Sequence, residues 1–135
     1  MDRLFLDANV LFTAAHNRAG KSAYLFDVLH FARWELHSSD YAIEEARRNL
    51  AAKFPERVAI LDSLIGRLNV IRQPARGEIG IRLPEKDQPI FLAAQAGGAT
   101  HLLTGDLRHF KRHMNRPQQT SGIVIQTVAD YLSSL

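Results

Sequence analysis

Apolar positions along this 135-residue chain fall into two kinds of block. The first is short, three or four residues bounded by polar or turn-forming ones, which suits strands. Arg3–Leu6, Glu35–Ser38, Asn69–Ile71, Thr100–Leu103 and Ile123–Ile125 are of this kind. The second carries apolar residues at helical spacing. In the predicted helix Ser22–Arg33, Leu25, Val28, Leu29 and Ala32 stand at i, i+3, i+4 and i+7, an amphipathic stripe. A further helix, capped by Ser39 or Asp40, places Ile43, Ala46, Leu50 and Phe54 on one stripe. A helix starts around Asn9 and is interrupted by the turn residues Asn17–Gly20. Pro55 permits a new helix over Glu56–Arg67, and a compact helix centred on Ile90–Ala94 ends at Gly97-Gly98. Thr127–Leu135 reads as a closing helix. Arg72–Lys86 holds two Pro and two Gly without periodicity, and a long loop in a compact domain is often functional.

Strands alternate with helices throughout, so the predicted fold class is α/β, a three-layer α/β/α sandwich with a mostly parallel central sheet. Residues 1–135 suffice for one domain with one core, and no repeat, low-complexity segment or linker divides them. At 46% apolar and 23% charged residues, the composition is that of a soluble globular protein. The absence of cysteine excludes disulfides, thiolate metal sites and thiol catalysis, and agrees with a cytoplasmic location. No apolar run approaches the ~18 residues of a membrane span. Asp7 also interrupts the only segment that would serve as a signal peptide, so no membrane association is expected. Seventeen basic against fourteen acidic residues give +3; with four carboxylates neutralised by cations, seventeen against ten would give +7. That balance suits a polyanionic partner.

The acids change the picture more. In open α/β sheets the ligand crevice lies beyond the carboxyl ends of the strands. Asp7 follows the first strand there, and Asp106, in Thr104-Gly105-Asp106, follows the fourth. Asp87 opens the helix that leads into that strand. Glu44 and Glu45 both lie off the Ile43 stripe of their helix, and the helix wheel does not choose between them. Each acid has an ordinary structural alternative, as turn residue, helix cap or solvated surface group. Four acids in one cleft, however, repel one another unless a cation offsets them, and hard divalent cations take oxygen ligands. The pattern therefore points to a metal site built from Asp7, Glu44 or Glu45, Asp87 and Asp106. Asn9 and Thr104 would orient ligands or water there, or serve as caps. The six histidines are scattered and none is assigned to zinc, and Trp34 is assigned to core or rim packing.

At these residues the chain resembles the PIN-domain family of metal-dependent ribonucleases, which includes VapC-type toxins. Leu6-Asp7-Ala8-Asn9-Val10-Leu11 is similar to the family's opening Asp-x-Asn pattern, and SDYAIEEARRNL over Ser39–Leu50 to its glutamate-bearing helix. Asp87 with Ile90–Ala94 resembles its third motif and Thr104-Gly105-Asp106 its fourth. The likeness spans the whole chain. Ala8 stands where the family often has Thr, His109 where many members carry a further acid, and Leu83 where an acid often precedes the third motif. Only the resemblance favours Glu45 over Glu44. It implies a Mg²⁺- or Mn²⁺-dependent endoribonuclease that hydrolyses phosphodiester bonds of RNA. In that reading Asp7, Glu45, Asp87 and Asp106 are the catalytic and metal-binding residues; Asp7 and Asp106 bind metal directly, and Glu45 and Asp87 bind a second ion or position water. For a VapC-type member it further implies the toxin of a toxin–antitoxin pair, with a cognate antitoxin as partner and a homodimeric assembly.

The basic run Arg108–Arg116, directly after Asp106, offers Arg108, Lys111 and Arg112 for RNA phosphates, with Arg47 and Arg48 as lesser candidates. The alternative reading is a catalytically inactive PIN-like module that binds RNA or protein through this surface. A different Rossmann-like enzyme ranks third. The dinucleotide fingerprint and the P-loop are both absent, and Asn9 breaks the aspartate pair of a dehalogenase-type phosphatase.

Overall fold

A computed structural model describes all residues, 1–135. Five strands, β1 (Asp2–Leu6), β2 (Trp34–Ser39), β3 (Asn69–Ile71), β4 (His101–Leu103) and β5 (Val124–Gln126), form one sheet. Its order is β3-β2-β1-β4-β5, and every pairing is parallel. In register, Leu4 of β1 lies between Leu36 and His101, and Leu6 pairs with Leu103. Leu4, Phe5 and Leu6 are all buried, as a central strand covered on both faces requires.

Helices α1 (Ala8–His16) and α2 (Lys21–Asp27) join β1 to β2, and α3 (Asp40–Lys53) and α4 (Val58–Ile65) join β2 to β3. Helix α5 (Gln88–Ala96) leads into β4, the short α6 (Leu107–Phe110) follows it, and α7 (Val128–Ser133) closes the fold. From β1 the chain steps outward to β2 and β3, then crosses back over β1 to reach β4 and β5. Right-handed crossovers then put α1–α4 on one face of the sheet and α5 on the other. One core of 30 buried apolar residues runs through both layers. The reversal of direction makes the carboxyl ends of β1 and β4 the topological switch point, where open α/β sheets hold their ligands.

Several boundaries differ from the sequence expectation. Helix α2 ends at Asp27 instead of Arg33, because residues 28–33 are needed to turn back to the start of β2. Beyond a 3₁₀ turn at Pro55–Arg57, α4 occupies only Val58–Ile65 of the expected Glu56–Arg67. Strand β5 lies one residue later than predicted. Thr127 serves as N-cap of the last helix, accepting from the Asp130 amide, and the helix ends at Ser133. Trp34 belongs to the core. Its indole N–H donates to the Leu25 carbonyl at 3.2 Å, and its ring packs edge-on against Tyr131.

The long loop over residues 72–86 is pinned rather than free. The Gln73 amide donates to Asp40 Oδ1 at 2.8 Å, and the Gln73 side chain donates to the Pro89 carbonyl at 3.0 Å. His113 Nε2 lies 2.8 Å from the Arg82 carbonyl. Leu83 is buried in the core, which is why no acid stands there. These ties hold the loop against α3 and the start of α5, just after Asp87. At the other end of α5, Gly98 adopts φ +69°, the left-handed geometry that ends helices and favours glycine. The Ala99 amide then reaches back to the Ala94 carbonyl at 3.0 Å.

Candidate metal centre

Asp7 is the first residue beyond β1, and its amide donates to the Leu103 carbonyl of β4 at 3.0 Å. The switch point is thus tied together by backbone before any side chain acts. Asp7 Oδ1 accepts from the Ala8 amide at 2.7 Å, which caps α1. Its Oδ2 accepts from the Thr104 hydroxyl at 2.8 Å and from Asn9 Nδ2 at 3.2 Å. Thr104, fully buried, also accepts the Asp106 amide at 3.0 Å, so one hydroxyl sets the relative position of both aspartates. Asn9 Oδ1 accepts the Gly105 amide at 2.7 Å. A Cβ at Gly105 would stand 3.3 Å from that oxygen, closer than ordinary packing, so the turn uses glycine to let Asn9 approach. Asp106 in turn caps α6, its Oδ1 accepting the His109 amide at 3.2 Å.

Asp87 behaves differently. It precedes α5 but makes no side-chain cap bond, so the capping alternative does not account for its carboxylate, which is buried. Ser39 caps α3 through the Ala42 amide at 3.1 Å, and that start places Glu45 on the cleft. Glu44 points outward, 3.6 Å from Arg47, which also pairs with Asp62 at 2.9 Å. The choice the helix wheel left open is therefore made by packing: Glu45 joins the other acids and Glu44 does not. A cleft of about 420 Å³ results, lined by Asp7, Asn9, Glu45, Asp87, Gly105 and Asp106, with Lys53 and Lys86 at its margins. A larger hollow of about 620 Å³ at the opposite, amino-terminal end of the sheet is lined mainly by Tyr24, Val28, Phe31, Trp34 and Tyr131. Its one acid, Asp2, already accepts the Tyr131 hydroxyl at 2.6 Å, so the titratable chemistry lies in the smaller cleft.

Crowding of acids in a buried place leaves an electrostatic trace. Burial pushes the Asp7 carboxyl up to about 6; the bonds from Thr104 and Ala8 oppose that rise, and the charges of Asp87 and Glu45 add to it. Asp87 is also raised, first by burial. His109 and Lys86 pull it back, and Asp106 pushes it further up.

His109 is the residue that sequence reasoning did not place beside the acids. Its Nδ1 lies 2.7 Å from Asp87 Oδ2 and 2.8 Å from Asp106 Oδ2. Despite these distances, His109 Nδ1 and Asp87 Oδ2 are buried atoms without an aligned hydrogen bond. The three groups offer ligand atoms that all lie within 4.8 Å of one another. Buried polar atoms left unsatisfied are costly, and a divalent cation among two carboxylates and an imidazole would satisfy both atoms, so this donor set fits a metal. The available signal was the i+3 spacing of His109 from Asp106 across a helix start. Lys53 was legible too: Glu45, Asn49 and Lys53 stand at i, i+4 and i+8 on one face of α3, and all three line the cleft. Arg108, Lys111 and Arg112 are exposed and lie outside the cleft lining, so the structure does not bring them to the acids.

Fold and cleft together define an α/β/α sandwich of PIN type with an acidic centre at its switch point. The same fold occurs in solved VapC structures. A chain of VapBC2 from Rickettsia felis, solved bound to a DNA fragment from their promoter, superposes with a TM-score of 0.68 at 19% identity, covering 93% of this chain and 98% of that one. VapBC-1 from nontypeable Haemophilus influenzae gives 0.60 at 17% identity, covering 94% and 98%. VapC20 of Mycobacterium tuberculosis, a sarcin-ricin loop cleaving toxin, gives 0.55 at 14% identity, covering 78% and 92%. This likeness is one of fold. No protein-family profile matches the chain, and no curated protein matches it in sequence. No helix is long and apolar enough to cross a membrane.

Proposed function

We propose that this chain is a divalent-metal-dependent endoribonuclease and the toxin of a VapC-type toxin–antitoxin pair. The observation that carries this reading is the convergence of Asp7, Glu45, Asp87 and Asp106 at one switch point, with buried donor atoms there left unsatisfied. Asp7, Asp87 and Asp106 would hold a Mg²⁺ or Mn²⁺ ion, and Glu45 would bind a second ion or position water. When bound, the ion supplies Lewis acidity that lowers the pKa of a coordinated water and offsets charge on the phosphate.

The chain's own residues do the rest. Thr104 and Asn9 hold Asp7 Oδ2 in place and keep the aspartate in one rotamer. Glu45, on the α3 wall of the cleft, would position the attacking water. Lys53 and Lys86 flank the acids and attract the phosphates on either side of the scissile bond. Arg108, Lys111 and Arg112 extend that basic surface away from the cleft along the path of the RNA strand. No covalent intermediate is required, and no Ser/His or Cys/His pair faces the cleft.

Support for the toxin assignment is the fold shared with VapBC2, VapBC-1 and the loop-cleaving VapC20. By the same likeness to VapBC structures we assign this chain an antitoxin partner, and from the sequence resemblance to VapC-type toxins a homodimeric state. The test is cleavage of a fluorescent single-stranded RNA panel with Mn²⁺, Mg²⁺ or EDTA, by wild type and Asp106→Asn in parallel. Metal-dependent cleavage lost in the variant supports the nuclease. Tight RNA binding without turnover under any metal favours the inactive binding module instead.

A further inference from the structure

One imidazole stands against two of the cleft's acids, although it does not line the cleft itself. His109 Nδ1 sits 2.7 Å from Asp87 Oδ2 and 2.8 Å from Asp106 Oδ2, and its imidazole is placed by backbone as well as side chain. The His109 amide bonds Asp106 Oδ1, and the adjacent Phe110 is fully buried, which anchors α6 against the core. The ordinary structural reading is a histidine that donates Nδ1–H to a carboxylate as a counter-ion. At these distances a charged imidazole pairs with both carboxylates, but neither Nδ1 nor Asp87 Oδ2 has an aligned N–H···O bond, so the ion pair leaves the bonding capacity of both atoms unused. Asp87 is 7% exposed, so its free oxygen is aimed into the centre and not at solvent. Three ligand atoms within 4.8 Å of one another, two of them buried without an aligned hydrogen bond, are spaced to share one ion.

Resting on the metal-centre reading above, we propose that His109 Nδ1 is itself a ligand. With Asp87 and Asp106 it forms a mixed nitrogen–oxygen site that takes Mn²⁺, or another first-row transition ion, in preference to Mg²⁺. The chemistry follows from ligand type. Mg²⁺ is hard, demands oxygen ligands and gives up its waters reluctantly. Imidazole nitrogen suits transition ions, whose affinity for a given site rises from Mn²⁺ through the first row to Cu²⁺. An aspartate in place of His109 would make the site all-oxygen and remove that preference. One imidazole thereby sets which ion the chain recruits.

The experiment uses metal-stripped full-length protein loaded with Mn²⁺. Electron spin-echo envelope modulation reads directly coordinated nitrogen, and competition with Mg²⁺ is followed through the resonance of free Mn²⁺. Wild type is expected to show ¹⁴N coupling that converts to ¹⁵N in protein labelled at histidine. In His109→Asp the coupling is lost and the Mn²⁺/Mg²⁺ preference narrows by about tenfold or more, since disturbing even an outer partner of a ligand costs roughly 10–100-fold in affinity. Mn²⁺ bound to wild type without nitrogen coupling would overturn the ligand assignment and leave the metal centre standing. An unchanged Mn²⁺/Mg²⁺ ratio in His109→Asp would overturn the selectivity. Wild type that binds no Mn²⁺ at millimolar concentration would remove the metal centre and this proposal with it. The labelled wild-type measurement decides the matter even where the variant does not fold.

Discussion

Replacing Asp7 by Asn should stabilise the metal-free protein at alkaline pH while abolishing its response to metal. Asp7 ionises at about 6 in the fold against an ordinary 3.8, a gap worth roughly 3 kcal/mol. Because the folded value is the higher one, the native state holds the proton more tightly than the unfolded chain between those two values. Stability therefore falls as pH rises from near 3.8 towards 6, and above that the full penalty persists. At pH 8 the wild type carries all of it; at pH 4.5 it carries about 1 kcal/mol by the same linkage. Asn carries none at either pH. Its amide nitrogen, however, would face the donors of Asn9 and Thr104 that now serve Asp7 Oδ2, at a cost of about 1–2 kcal/mol. Urea unfolding in EDTA should therefore show Asp7→Asn more stable than wild type by about 1–2 kcal/mol at pH 8, an advantage gone or slightly reversed at pH 4.5. Adding Mn²⁺ at about 100 times its dissociation constant should raise the wild type by roughly 2.7 kcal/mol and leave the variant unmoved. A variant destabilised at pH 8, or a difference independent of pH, would refute the claim that Asp7 is held ionised against its burial.

Three further outcomes follow from the same geometry. Thr104→Val removes the buried hydroxyl that serves Asp7 and leaves the Asp106 amide unpaired; chemical denaturation should show a loss of about 1–3 kcal/mol, and calorimetry an Mn²⁺ affinity about 10–100-fold weaker. Lys53→Ala and Lys86→Ala should each weaken binding of single-stranded RNA in fluorescence anisotropy and lower the salt slope of log Kd by about 0.7 for each phosphate no longer neutralised. Glu45→Gln should abolish RNA cleavage while Glu44→Gln, altered outside the cleft, retains it, and equal rates for the two would show that α3 contributes no glutamate to the reaction.

Helix and strand positions were legible wherever the signal was local. Leu4–Leu6 are apolar on both faces because β1 is central, and the Ser39 cap and the glycine after α5 are short-range backbone chemistry. The acids at strand ends were legible for the same reason, as polar residues that close short apolar runs; which strand ends form the crevice depends on the strand order. Element ends were less so: α2 stops at Asp27 because the return to β2 consumes the following residues, a constraint of path length that no periodicity records.

Which side chains meet was decided by the tertiary structure. Thr104 serves Asp7 from 97 positions away, and the two touch only because β1 and β4 are neighbours in the sheet. Glu45 over Glu44 follows from how α3 rolls against the sheet. His109 becomes a partner of Asp87 because α6 turns back over the entrance of α5. Pattern along the chain reports what each segment buries, because burial follows from local polarity. The centre's composition depends on distances between segments, and those are set by strand order and crossover direction, which local polarity does not encode.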